Sequence, residues 1–117
     1  MFEIRRTRAK GRGLYATQSI APGTEILRCP VIVCGVADAG RLARTVVGDY
    51  TFRWSPDDRL HAVVLGLISL VNHADEPTVA VEPDLSAEEM VLRAIAPIAP
   101  GEELCLRYRR TLTFTPA

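Results

Sequence analysis

The chain has almost no lysine: Lys10 stands alone against 13 arginines. The bias assigns no function by itself, but it makes any modification of lysine on this chain simple to place. Histidine is also scarce, with two residues, and the three cysteines (Cys29, Cys34, Cys105) are odd in number and contain no C-x-x-C. A disulfide framework and the usual zinc patterns are therefore not expected, and the thiols read as reduced and mostly buried. Net charge is absent too, with 14 basic against 14 acidic residues. Affinity for nucleic acid comes largely from neutralising phosphates, so direct nucleic-acid binding is not expected. The N-terminus, MFEIRRTRAKGRG, has no apolar core of a secretory signal. The longest apolar run, AVVLGLISLV at 62–71, is too short for a bilayer, which takes about 20 residues. No membrane association is expected. The expected location is the cytoplasm, or a host nucleus for a chain delivered there.

What remains is a globular composition, 48% hydrophobic over 117 residues. One domain is the natural count, burying roughly two-thirds of its unfolded surface. Basic residues crowd the start (Arg5, Arg6, Arg8, Lys10, Arg12) and the end (Arg107, Arg109, Arg110), while acidic residues gather at Asp57–Asp58, at Asp75–Glu76 and from Glu82 to Glu89. These charges read either as a solvated surface of mixed sign or as an acidic rim for a basic peptide.

Short alternating segments dominate the pattern. Strands are expected over 2–7, 11–17, 24–29, 31–35, 50–54, 78–83, 89–97 and 102–108, with Pro30 splitting the third from the fourth because it cannot donate to a ladder. The best helix candidate is 38–50, with Leu42, Val46 and Val47 on one face. Residues 60–73 fit a buried strand or a short helix equally. A phrase also recurs at a spacing of 78: Leu14, Ala16, Ile20, Ala21, Pro22, Gly23 and Glu25 are repeated as Leu92, Ala94, Ile98, Ala99, Pro100, Gly101 and Glu103. Proline presets φ at the second position of a turn and glycine supplies a positive φ at the third. Two similarly built strand–turn–strand units in one compact domain explain the echo, and two copies do not make a solenoid.

Three segments carry chemistry. KGRGLYA (10–16) sets two glycines two residues apart, which lets backbone approach a ligand, although no third glycine opens a helix as in a dinucleotide fingerprint. LVNHADEPTV (70–79) puts Asn72 and His73 directly after the apolar run. Alone these are a turn residue and a satisfied histidine; together with nearby backbone they offer a grip for an adenine or an amino-acid moiety. IAPGEELCLRY (98–108) ends on Tyr108, which alone is an amphipathic rim residue.

In this order and spacing the three blocks resemble the SET-domain protein lysine methyltransferases, and the short, single-domain chain is most similar to the small viral members. The resemblance covers about residues 3–108. It implies a mostly β fold, the β-clip of several small sheets with a knot-like C-terminal crossing and one or two short helices. It implies S-adenosylmethionine as cofactor and a lysine-containing protein or peptide as substrate, histone-like or ribosomal, with a homodimer expected. By position, Gly11, Arg12, Gly13 and Leu14 would meet the cofactor through backbone, Asn72 and His73 would hold it, and Tyr108 would be the catalytic tyrosine. Tyr50 and Leu106 would lie along the substrate channel, and no metal is implied. The sequence departs from the family at Ala74 (usually serine), Thr78 (usually asparagine) and Arg109 (usually glycine). It has no cysteine cluster after Tyr108, leaving Phe114 as the candidate cover for the adenine. The alternative these departures motivate is a catalytically degenerate module that binds a protein partner.

Overall fold

A computed structural model of the protein describes residues 1–107. Among these described residues, nine strands, one helix and two 3-10 turns follow one another as β1 (Phe2–Thr7), β2 (Gly11–Ala16), β3 (Glu25–Cys34), α1 (Val36–Leu42), a 3-10 turn (Val46–Tyr50), β4 (Thr51–Arg53), β5 (His61–Val64), a second 3-10 turn (Leu67–Leu70), β6 (Asn72–His73), β7 (Val79–Asp84), β8 (Glu89–Ala94) and β9 (Glu103–Leu106). The expected mostly β architecture of small sheets is what the chain forms. One sheet has the order β1-β2-β9-β6, the other β4-β5-β3-β8-β7. All pairings are antiparallel except β6 with β9, where Asn72 lies opposite Cys105 and His73 opposite Leu106.

Burial follows strand position. β1 is an edge strand and mostly exposed, whereas the interior strand β8 buries Met90, Val91, Leu92 and Ala94. The inner faces of both sheets meet in one apolar cluster whose fully buried members include Leu14, Ile68, Val71, Val79, Met90, Leu92 and Leu104. This core is the main stabilising contribution, at about 25 cal/mol for each Å² of apolar surface removed from water.

Two expectations are corrected. Pro30 does not split β3, which runs unbroken from Glu25 to Cys34. It sits where β3 exchanges one partner for another: Glu25–Pro30 pair with β8 and Val31–Cys34 with β5. The missing N–H therefore falls at the handover, while the Pro30 carbonyl still accepts from Leu65 N–H at 2.9 Å. The helix expected over 38–50 is a helix over Val36–Leu42 followed, after a break, by the first 3-10 turn. Thr45 ends the helix, being extended and directing both its N–H (2.9 Å) and its hydroxyl (2.8 Å) to the Leu42 carbonyl. The proposed apolar face is not buried either, since Val46 is 71% exposed. The ambiguous 60–73 segment resolves into both answers, β5 and then a 3-10 turn. Gly66 (φ +153°) joins them, packed so tightly on Cys29 that a Cβ there would lie 2.6 Å from its Sγ.

The C-terminal strand is enclosed on several sides. β9 pairs with β2 on one edge and β6 on the other. The segment after β6 then folds back over it: Ala74 N–H donates to Leu106 O (3.0 Å) and Thr78 N–H to Cys105 O (2.9 Å). The Thr78 hydroxyl closes the crossing, donating to Glu103 O (3.2 Å) and accepting from Cys105 N–H (3.1 Å).

Candidate functional site

The site forms where three separate segments converge: the turn into β2, the start of β6 and the start of β9. Gly11 enters β2 with φ +68°, a left-handed conformation that glycine adopts without strain. Tyr15 lies opposite Glu103 in the β2–β9 ladder, and Gly13, two residues back, shares its face. The Glu103 carboxylate consequently lies over Gly13. A Cβ on Gly13 would stand 2.5 Å from Glu103 Oε2 and 2.8 Å from Asn72 Nδ2, so any larger residue would displace these two bonded side chains.

Around that gap runs a polar chain. Asn72 Nδ2 donates to Glu103 Oε2 at 2.7 Å and to the Arg12 carbonyl at 3.0 Å. Lys10 Nζ donates to Glu103 Oε1 at 2.8 Å, and the Glu103 side chain is only 10% exposed. Burial pushes the Glu103 carboxyl upward, but the hydrogen bonds from Lys10 and Asn72 outweigh it and hold the group below the ordinary carboxylate range. The same hydrogen bond raises Lys10 above its usual value. Glu103 is thus ionised and Lys10 protonated at neutral pH. Next along β9, burial first and Glu103 second push the Cys105 thiol up to about 11, keeping it a neutral, inert packing group.

A pocket of about 270 Å³ opens beside this chain, lined by Arg6, Lys10, Gly11, Arg12, Tyr50, Ser69, Leu70, Val71 and Asn72. Four residues singled out from the sequence (Gly11, Arg12, Tyr50 and Asn72) therefore share one cavity, and Gly13 lies against its Asn72 wall. His73 is adjacent, half-buried opposite Leu106 in the β6–β9 pair, with Nε2 3.5 Å from Asp75 Oδ1. Leu14 and Leu106 are core residues, 0% and 3% exposed, and neither side chain lines the pocket. Tyr108, Arg109 and Phe114 lie outside the described residues. Lys10 and Glu103 are not among the site residues expected from the sequence. Their signals were present: a lone lysine directly before the first glycine, and a glutamate at the same offset after both Pro-Gly turns. Neither shows that the two meet across 93 residues.

Convergence of a G-x-G turn, an Asn-His pair and a glutamate-led strand in a β-clip defines a class. The SET domain profile matches residues 11–109, and the chain belongs to the SET domain family. It is 33% identical over 114 residues to the fission yeast (Schizosaccharomyces pombe) histone-lysine N-methyltransferase specific for H3 lysine-37, covering 97% of this chain and 76% of that protein. Its fold is similar to that of a Plasmodium falciparum candidate histone methyltransferase (TM-score 0.68, 21% identity, 92% of this chain and 91% of that one). It is also similar to a chain of an active polycomb repressive complex 2 in its basal state (TM-score 0.75, 21% identity), matching 93% of this chain and 15% of that one.

Proposed function

We propose that this protein-lysine methyltransferase takes its methyl group from S-adenosylmethionine and delivers it to a lysine of a histone-like basic protein. The observation that carries the reading is the convergence of Arg12, Asn72 and Lys10 on one pocket. The methyl donor's amino-acid end carries a carboxylate and an ammonium. Arg12 supplies positive charge suited to the first, and the Asn72 amide supplies an acceptor suited to the second, while Lys10 is paired with Glu103. The pocket volume, about 270 Å³, lies just below the ~300 Å³ at which ligand cavities begin, enough for that end of the molecule. Identity to a histone-lysine methyltransferase supports the substrate class. The departure at Thr78 is accommodated, since its hydroxyl is bonded on both sides to β9.

Bound, the cofactor supplies an electrophilic methyl on a sulfonium. Held by Arg12 and Asn72, it would give up that methyl with the C–S bond breaking, and its electron pair staying on sulfur, as the N–C bond forms. The chain's task is to present a neutral amine, although free lysine titrates near 10.4. A narrow apolar channel would disfavour the ammonium, and a neighbouring sulfonium would repel it, so that the proton would leave for water before transfer. Tyr108 is proposed to orient the amine with its hydroxyl, a role in alignment rather than covalent chemistry. Tyr50, 47% exposed at the pocket wall, is proposed to line the approach.

The test is calorimetry with S-adenosylhomocysteine, followed by transfer of labelled methyl from S-adenosylmethionine to core histones and to a ribosomal protein pool. Expected are micromolar binding, label on histone lysine, and loss of label but not of binding in Tyr108→Phe. Binding without transfer to any protein pool would overturn the enzymatic reading in favour of a partner-binding module.

A further inference from the structure

We propose that Glu103 is a positioning residue that fixes which polar atom of Asn72 the pocket presents. An asparagine amide carries an acceptor oxygen at one end and a donor NH2 at the other, and nothing in the side chain's own shape decides which end faces a ligand. Here the surroundings decide. Both partners of the Asn72 amide, the Arg12 carbonyl and the Glu103 carboxylate, are acceptors only, at 3.0 and 2.7 Å. Both N–H bonds are therefore directed into the protein, and Oδ1 is the atom left to meet a donor in the pocket that Asn72 lines.

Glu103 is suited to this by burial and by division of labour. Its side chain is 10% exposed, and its two oxygens serve different partners, Oε1 for Lys10 and Oε2 for Asn72. Lys10 neutralises the buried charge. Gly13 leaves the space in which the carboxylate and the amide meet. The Arg12 carbonyl alone can hold only one N–H of the amide. Without Glu103 the amide can turn, and a donor end facing an ammonium repels it. The ligand group discriminated is thus the ammonium of an amino-acid moiety. The inference rests on the cofactor reading above.

The test compares two ligands by calorimetry: S-adenosylhomocysteine, which has the amino-acid end, and 5′-methylthioadenosine, which lacks it. In Glu103→Met, of similar length without acceptors, affinity for S-adenosylhomocysteine is expected to fall about tenfold, the order set by one charge-assisted hydrogen bond. Affinity for 5′-methylthioadenosine is expected to stay unchanged. In Glu103→Gln one acceptor oxygen remains for Asn72 and the half-exposed Lys10 turns to water, so binding of S-adenosylhomocysteine recovers to within threefold of wild type. Equal losses for both ligands in Glu103→Met would show a structural role and overturn the proposal. A Glu103→Gln variant as weak as Glu103→Met would assign the effect to charge and overturn it as well. Wild-type protein that binds neither ligand would defeat the cofactor reading and this inference together, whereas wild-type binding with an unaffected Glu103→Met would defeat this inference alone.

Discussion

Ile20 and Ile98 bond to each other in both directions: Ile20 N–H donates to Ile98 O at 2.9 Å, and Ile98 N–H to Ile20 O at 3.0 Å. They stand 78 residues apart in the repeated phrase, and the bonds around them repeat at the same offset. Gly23 N–H reaches Ala94 O while Gly101 N–H reaches Ala16 O, both at 2.8 Å. Ala94 N–H reaches Thr24 O at 2.9 Å while Ala16 N–H reaches Glu102 O at 2.8 Å. Each copy's turn is clasped by the other copy's strand, about a local two-fold axis at the isoleucine pair. The echo is therefore more than two similar turns: the two units hold each other.

This reciprocity predicts matched energetics. Gly23 and Gly101 share φ +88°, and neither has an atom within 4 Å of where a Cβ would go. Alanine at either site meets only backbone strain, about 1–2 kcal/mol. Gly23→Ala and Gly101→Ala should each lower unfolding stability by that amount and agree with each other in urea titrations. A loss at one site several times that at the other would show that the turns are not equivalent.

The strands and the Pro-Gly turns were legible because period-two alternation and turn chemistry are local. So were Gly11, Gly13 and Asn72, as members of ordered blocks. The helix limits were not, because Thr45 competes for the Leu42 carbonyl and no buried face enforces the period through Val46. The continuity of β3 was missed because Pro30 is harmless only where a strand changes partner, which is a tertiary fact. Lys10 and Glu103 escaped for the same reason: their meaning lies in a contact between distant segments.

Gly13→Ala tests the closeness of that contact. Its Cβ would need Glu103 Oε2 and Asn72 Nδ2 to retreat from 2.5 and 2.8 Å, and both belong to the bonded chain from Lys10 to Arg12. Overpacking of this kind costs about 1–3 kcal/mol. The expected result is a tenfold or greater loss of S-adenosylhomocysteine affinity by calorimetry, with a lower melting temperature. Unchanged binding would mean that the amide and carboxylate can separate without consequence to the pocket.

Thr78→Val removes a hydroxyl of similar shape that serves both a donor and an acceptor on β9. The Cys105 N–H and Glu103 carbonyl it leaves are partly buried. The expected destabilisation is about 1–3 kcal/mol, read as a lower urea midpoint at constant m-value. Because Thr78 clamps the segment that crosses β9, the Thr78 amide should also exchange hydrogen faster in the variant. A stability within 0.5 kcal/mol of wild type, roughly the range of neutral surface changes, would show that the crossing holds without its hydroxyl.

The buried carboxylate predicts a pH signature. Glu103 releases its proton at a lower pH in the folded protein than the ordinary glutamate value of about 4.3, held there by Lys10 and Asn72 against the opposing effect of burial. Its contribution to stability is complete above that ordinary value and is lost as pH falls through the depressed folded one. Lys10, raised by the same pairing, contributes below its ordinary value and loses the contribution as pH rises through its folded one. Asp84 and Glu25, depressed chiefly by hydrogen bonds from Arg28, add to the acid loss and will keep it from vanishing. Glu103→Gln should therefore shallow the fall in stability below about pH 4 and also the fall at high pH, since Lys10 no longer has a carboxylate partner. Urea unfolding of both proteins from pH 3 to pH 11 measures this, and parallel curves across the range would show that Glu103 and Lys10 are not coupled in solution.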